Sequence, residues 1–576
     1  MRYRPKTAVF PVALVASLAA ASFLGCAGSA RAPAAPAGVA GVWTGSPIVH
    51  TASGDVKGFP DKSGTLAWKG IPYAAPPVGD LRWRAPRDPA PWPGVFSASS
   101  FGSGCLQFAP FADSIIGSED CLYLNVWRPA GTAARLPVYV WIHGGGNSTG
   151  SASMVSDYYG QGVASRSRMV FVSMNYRLGP LGWFLDESIE AGADPDSASG
   201  NFGTLDIIQA LKWVQRNISA FGGDPDNVTI AGESAGAMNV LSLMISPSAK
   251  GLFQRAIVES GARTLAGREK AEAASAGLIR EYLIYSGRVR TQEAARTVAA
   301  ALPDSDLAAI LRSARARDLI GLETPGAAGM TGWPAIIADG RVIPAEGYGA
   351  FATGNYANKV PLIIGSNREE TKLFLYFDRG MDWKGRIYQA AAKYGSLLWK
   401  ADGVDEVADA IASAADAPPV YVYRFDWGAP DASGASVLPG DWGARLGAFH
   451  SLEISFFLGT GTCLGPFLTG KLFTKANLQG REGLSAGIMA YLASFAATGD
   501  PNRNSGGLPA WPRRPARAAA PASAGRPVGI VFNASASAPS WTPLTEVVTR
   551  EAVYAAIAAD LPPPVAAAVR SKLLIR

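Results

Sequence analysis

The stretch that most restricts this chain is Val228-Thr229-Ile230-Ala231-Gly232-Glu233-Ser234-Ala235-Gly236-Ala237-Met238-Asn239-Val240. It begins as a β-branched run and passes into a helix-compatible run over residues 237–244. Gly-x-Ser-x-Gly joins the two, so a strand must turn sharply into a helix with a serine at the tip. Side chains beside so tight a turn would clash, which is the reason for the flanking glycines. Ser234 then stands above the sheet at a helix N-terminus, where backbone N–H groups and the helix dipole favour a developing oxyanion.

Residues 123–127, 138–142 and 169–173 are short apolar runs that read as buried strands. Residues 205–217 have helical spacing, and 228–231, 255–259, 361–365 and 420–425 read as further strands. This alternation predicts an α/β fold with a large, mostly parallel central sheet. Residues 270–318 and 381–415 read as helical insertions over the strand C-terminal ends, the edge at which such sheets bind ligands. Residues 48–50 and 54–58 suggest an opening hairpin, and 70–79 a proline-punctuated loop. Residues 512–527, rich in Pro, Ala and Arg, suggest a surface loop with solvated arginines.

Arg2-Tyr3-Arg4-Pro5-Lys6 followed by an apolar run over 8–24 has the form of an export signal. Phe23-Leu24-Gly25-Cys26 resembles a bacterial lipoprotein processing site, with Phe23 where Leu, Val or Ile is usual. Cys26 is therefore a candidate for lipidation and membrane anchorage; the alternative is ordinary cleavage near Ala30 or Ala32. The formal charge of +6 includes three basic residues of that segment, Arg2, Arg4 and Lys6. What is left is too mild to argue for nucleic acid. Cys105 and Cys121 flank one loop and are the natural disulfide pair in an exported protein, which leaves Cys463 a buried thiol. No Cys-x-x-Cys occurs and the chain has 3 histidines, so neither a metal site nor a cofactor is expected.

A serine nucleophile needs a general base, and three histidines make the search short. His50 lies in the opening hairpin and is expected at the surface. His143 precedes Gly144-Gly145-Gly146, whose bare N–H groups can point into a cavity as oxyanion donors; the histidine itself is expected to brace that loop. His450 remains, in Gly447-Ala448-Phe449-His450-Ser451-Leu452-Glu453. It satisfies the order nucleophile, acid, base that serine hydrolases on α/β sheets follow. The acid then falls between Ser234 and His450. The best candidates follow a strand in Gly365-Ser366-Asn367-Arg368-Glu369-Glu370-Thr371, and spacing does not choose between Glu369 and Glu370.

These segments, with Gly70-Ile71-Pro72-Tyr73-Ala74, Pro76-Pro77-Val78-Gly79-Asp80-Leu81-Arg82-Trp83, Glu119-Asp120-Cys121-Leu122-Tyr123-Leu124-Asn125-Val126, Asn175-Tyr176-Arg177, Gly200-Asn201-Phe202-Gly203, Phe221-Gly222-Gly223-Asp224-Pro225 and Gly499-Asp500-Pro501-Asn502, resemble the type-B carboxylesterase (cholinesterase-like) family of α/β-hydrolases. The resemblance runs from about Ile48 to Pro512. It implies a Ser234–His450–Glu370 triad, since the family's acid is the Glu of Gly-x-Asn-x-x-Glu; Thr371 departs from the glycine common at its place. It implies oxyanion donors at Gly145, Gly146 and Ala235, support for the triad from Glu233, Ser260 and Glu453, and the Cys105–Cys121 disulfide. The division expected is an export signal over 1–25, a flexible tether over 26–45 and one catalytic α/β-hydrolase domain over 46–576. The implied activity is carboxylic ester hydrolysis through an acyl-enzyme, by an exported enzyme that is periplasmic, secreted or lipid-anchored. The alternatives are a specialised ester (polyester, lactone, toxin or plant ester) and a non-catalytic binding relative. A cholinesterase is disfavoured, because the 105–121 loop offers Phe108 and Phe111 but no tryptophan for a quaternary ammonium. Trp333 and Asn147 are expected to shape the pocket, and activity is expected to fall below about pH 6.5 as an ordinary histidine protonates.

Overall fold

The structure is a computed structural model that describes residues 40–112, 114–378, 381–516 and 525–573. The export segment, Cys26 and the tether up to residue 39 lie outside the described residues. Eleven strands form the main sheet. In chain order they are β1 (Phe59–Asp61), β2 (Thr65–Pro72), β3 (Tyr123–Pro129), β4 (Leu136–Ile142), β5 (Val170–Met174), β6 (Gly223–Glu233), β7 (Arg255–Glu259), β8 (Leu362–Asn367), β9 (Val420–Phe425), β10 (Gly529–Ala534) and β11 (Pro539–Leu544). Across the sheet they run β11-β10-β9-β8-β7-β6-β4-β5-β3-β2-β1. The block from β5 to β10 is parallel, and the antiparallel pairs lie at the two flanks.

The central strands are apolar throughout because both faces are covered. Alternate residues feed two separate cores. Val140, Ile142, Ile230, Val258 and Ile364 pack under helices α1 (Phe202–Asn217) and α2 (Ala235–Ile245). Tyr139, Trp141, Ala231, Ile257, Ile363 and Tyr423 pack against Phe449, Leu452 and Ile454 and against Ile488, Leu492 and Phe495 of a helix over Leu478–Thr498. Helices Arg268–Tyr285, Gln292–Ala301, Asp304–Ser313 and Ala316–Gly321 follow β7, and α3 (Arg386–Lys400) follows β8. The insertions therefore leave the sheet where strands end near Ser234.

Three local expectations need correction. The tether ends earlier than residue 45: Trp43 is buried, its indole donates to Gly131 O, and the Arg128 guanidinium lies 3.8 Å above its ring. Gly70 to Pro72 complete β2 rather than a loop, because Gly70 (φ +73°) makes a bulge where a Cβ would lie 2.5 Å from Ser100 O. Arg514 is not solvated: it is buried against Asp405 and Asp409. Residues 517–524 of that stretch lie outside the described residues. The Cys105–Cys121 disulfide is present and Cys463 is a buried free thiol. Among the described residues no helix is long and apolar enough to cross a membrane.

Candidate active site

Strand β6 ends at Glu233 and α2 begins at Ala235, so Ser234 alone makes the turn. Its backbone sits at φ 57°, ψ −122°, a region side chains avoid at a cost of about 1–3 kcal/mol. Neighbours hold it there. The Ser234 N–H donates to Glu259 O at 3.0 Å, and Met238 N–H donates to Ser234 O. Strand and helix meet backbone to backbone: a Cβ on Gly236 would lie 2.0 Å from Ile142 O, and one on Gly232 2.5 Å from the carbonyl carbon of Gly236. The serine side chain makes no capping bond to the helix it starts, so the hydroxyl is not consumed by structure.

β4 delivers His143 and the glycine run beside this turn. Gly145 and Gly146 take φ +107° and +63°. Gly145 O is wrapped by the N–H groups of Ser148 and Thr149. Among the described residues, the N–H groups of Gly145, Gly146 and Ala235 meet no acceptor. His143 braces the loop as expected: Nδ1 is 2.9 Å from Gly144 O, the ring stacks on Tyr176, and burial pushes its pKa down to about 4. Asn147 also braces rather than lining a pocket, since its Oδ1 accepts from Asn239 at 2.8 Å. The Trp333 indole is spent on Trp183 O, with its ring parallel to Phe184. His50 is exposed and pairs with Asp55.

Two distant loops bring the remaining groups together. His450 Nδ1 lies 2.6 Å from Glu370 Oε2, and Glu370 Oε1 accepts the Asn367 N–H at 2.6 Å. Glu369 turns elsewhere, to Lys372 at 2.7 Å and to the Ala448 N–H. The structure thus separates the two acids that spacing left open. Thr371, the departure from the family pattern, is buried and donates to Ala392 O. Asn367 Nδ2 donates both to Phe449 O and to Glu453, whose other oxygen accepts from Ser260 Oγ at 2.7 Å. Glu233 accepts from Ser451 Oγ at 2.6 Å and places an oxygen 3.0 Å from His450 Nε2. That contact lacks hydrogen-bond geometry, so Nε2 has no bonded partner.

Burial alone would keep His450 neutral, but Glu233 and Glu370 outweigh it and push its pKa up to about 9. The same crowding acts on the acids. Burial, then Glu233 and Glu370, raise Glu453 to about 8, and burial raises Glu233 against the pull of His450. The expected acid limb near pH 6.5 assumed an ordinary imidazole. With Glu370 on Nδ1 and Glu233 beside Nε2 the imidazolium is favoured, so the limb is expected above that value.

A cavity of about 610 Å³ lies beside the site, lined by Ala109, Phe111, Pro325, Phe374, Phe377 and Asp378 among others; Phe374 is the lining residue that also meets His450. The Phe374 ring is 5.1 Å from the His450 ring, which also lies 4.9 Å from Trp399. Phe111, at 70% exposure, comes from the disulfide loop and lies 4.8 Å from Phe377 across the mouth. Met330 approaches Gly146, with Sδ 3.1 Å from where a Cβ would stand. Sequence reasoning missed Phe374, Trp399, Met330 and Ser451. The first three are ordinary apolar residues and carry no local signal; Ser451, beside the histidine, could have been suspected.

A strand–serine–helix turn on a largely parallel sheet, with a glutamate–histidine pair from two loops beyond it, is the arrangement of the α/β-hydrolase fold. Within that class the chain belongs to the carboxylesterase family, whose model matches residues 45–389. It is 36% identical over 496 residues to the para-nitrobenzyl esterase of Bacillus subtilis, covering 81% of this chain and 92% of that one. It is 31% identical to the phenmedipham hydrolase of Pseudarthrobacter oxydans, with the same coverages of 81% and 92%. A solved PNB esterase structure superimposes with a TM-score of 0.66 at 29% identity, covering 92% of this chain and all of that one. The protein is a carboxylic ester hydrolase.

Proposed function

We propose that ester hydrolysis runs through an acyl-enzyme on Ser234, with His450 as general base and Glu370 holding its Nδ1–H. The observation that carries this reading is the 2.6 Å His450–Glu370 contact, which leaves Nε2 without a hydrogen-bond partner, 3.0 Å from an oxygen of Glu233, the residue before Ser234. Nε2 takes the hydroxyl proton as Oγ attacks the ester carbonyl. The oxyanion is met by the free N–H groups of Gly145, Gly146 and Ala235, each worth about 3 kcal/mol to the transition state. His450 returns the proton to the leaving alcohol, and water repeats the sequence to release the acid. Glu233 stabilises the imidazolium formed in each step, while Ser260 and Glu453 hold Asn367, and through it Glu370. An organophosphonate should label Ser234 stoichiometrically. A protein that stays unlabelled yet folded would instead be a binding relative.

The substrate we infer is an uncharged ester with a bulky apolar or aromatic part. The cavity is in the size range of drug-like ligands and carries three phenylalanines. Among its lining residues Asp378 alone is charged, and it is engaged by Lys572 at 2.7 Å. Relatives named for para-nitrobenzyl esters and phenmedipham point the same way. A panel of p-nitrophenyl esters settles it: kcat/KM should rise with acyl bulk and drop for acyl groups ending in a carboxylate, and a flat profile would refute the assignment. We also infer export through residues 1–25, with lipid attachment at Cys26 or cleavage just beyond it, which mass spectrometry of the mature N-terminus distinguishes.

A further inference from the structure

Glu259 is a fourth carboxyl behind the site, which the mechanism above leaves without work. It ends β7 in register with Glu233 at the end of β6, and its own carbonyl receives the Ser234 N–H. The next residue, Ser260, is the donor to Glu453. The other three acids each have a donor: Asn367 N–H for Glu370, Ser451 for Glu233, and Ser260 with Asn367 for Glu453. Glu259 is fully buried and neither of its oxygens has a partner.

The surroundings offer an anion no formed hydrogen bond, only the unpartnered hydroxyls of Tyr139 and Tyr423. Tyr139 of β4 sits against the carboxyl without meeting it in hydrogen-bond geometry. Glu233 of β6 and Glu453, from the turn before helix Ile454–Phe457, add like charge, and β9 contributes the Tyr423 hydroxyl. β8 presents Gly365, and the helix over Leu478–Thr498 that covers this face carries Arg481 and Glu482 near its start as its charged residues. Among the described residues His450 is the one cationic partner of the cluster, and it is bonded to Glu370 and lies against Glu233. Removing an ionised carboxyl from water without donors or counter-ion is strongly unfavourable, so the group keeps its proton instead. Burial, then Glu453 and Glu233, push its pKa well above the usual carboxylate range.

We propose that Glu259 is a positioning residue acting as a neutral carboxylic acid: it keeps a unit of negative charge out of the strand pair behind Ser234, and loss of its proton closes the active range on the alkaline side. The proton leaves to bulk solvent. The carboxylate then repels Glu233 and Glu453, and the only relief is to part the ends of β6 and β7, which the Ser234 N–H···Glu259 O bond holds together. This proposal rests on the assignment of Ser234 as nucleophile.

The test has two arms. Infrared titration of the full-length enzyme, without substrate, should show a protonated-carboxyl carbonyl band with a component that persists at pH values where Glu453 has already lost its proton, and that component should be missing in Glu259→Gln. The alkaline limb of kcat/KM, read by position and not height, should move up by about one pH unit or more in the same variant. A variant spectrum that keeps the full band, or an unmoved alkaline limb, overturns the proposal. If Glu259→Gln does not fold, Tyr139→Phe serves, since loss of the adjacent hydroxyl must shift the band; an unshifted band overturns it equally. The infrared arm needs no turnover, and phosphonate labelling reports on Ser234 separately, so failure of the Glu259 proposal is distinguishable from failure of the esterase assignment.

Discussion

The turn at Ser234 and the pair His450–Glu370 are built in opposite ways. The turn is local: strand, serine and helix are consecutive, and the fit is steric, with glycine wherever two backbones approach within about the size of a methyl group. The pair is assembled from loops 80 residues apart, and its fit is electrostatic, with three buried carboxyls, Glu233, Glu370 and Glu453, crowded around one imidazole. A steric device fails when an atom is added. An electrostatic one fails when a proton is moved.

That contrast can be broken first at the serine. Ser234→Ala should lower kcat by about 10⁶-fold with phosphonate labelling abolished and the fold intact by circular dichroism. Retained turnover would remove the turn from the chemistry. Glu370→Gln keeps the shape and changes the charge, and should cost about 10⁴-fold in kcat; Glu369→Gln should leave kcat within about threefold, since that acid faces Lys372. Gly236→Ala adds one carbon into Ile142 O and should lower stability by about 3 kcal/mol or more, read as a fall in denaturation midpoint. If it is tolerated, the turn is not sterically fixed. Glu233→Gln removes one of the two acids that hold the His450 proton. The base must be neutral to act, so a lower pKa lets it act at lower pH: the acid limb of kcat/KM should shift down by about 1–3 pH units. The smallest effect is Ser234→Gly, inactive but more stable by about 1 kcal/mol, because glycine accepts φ 57° without strain.

The same division explains what could be read before the structure. Strand, turn and helix around Ser234 are written consecutively, so residues 228–244 yield them directly, and the strand over 255–259 matches β7 to the residue. His450 emerged by elimination in a chain with 3 histidines. Glu370 could be separated from Glu369 only by resemblance, because the choice depends on which side chain reaches a loop that arrives 80 residues later. Arg514 looked solvated because its local composition says nothing of Asp405 and Asp409, which come to it from more than 100 residues away. The expected pH behaviour shifts for a related reason: an ordinary histidine value ignores the neighbours that folding brings.

The loops carrying Glu370 and His450 are also sewn to each other. Glu369 N–H donates to Ala448 O, Asn367 Nδ2 to Phe449 O, and His450 N–H reaches Glu370 O. Neither loop can leave without the other, so they form one cooperative unit. Heat inactivation should then be a single event, in which each molecule is either fully competent or without a functional base. A half-heated sample would contain fewer working enzymes with an unchanged KM and an unchanged pH profile, not a population of weakened ones.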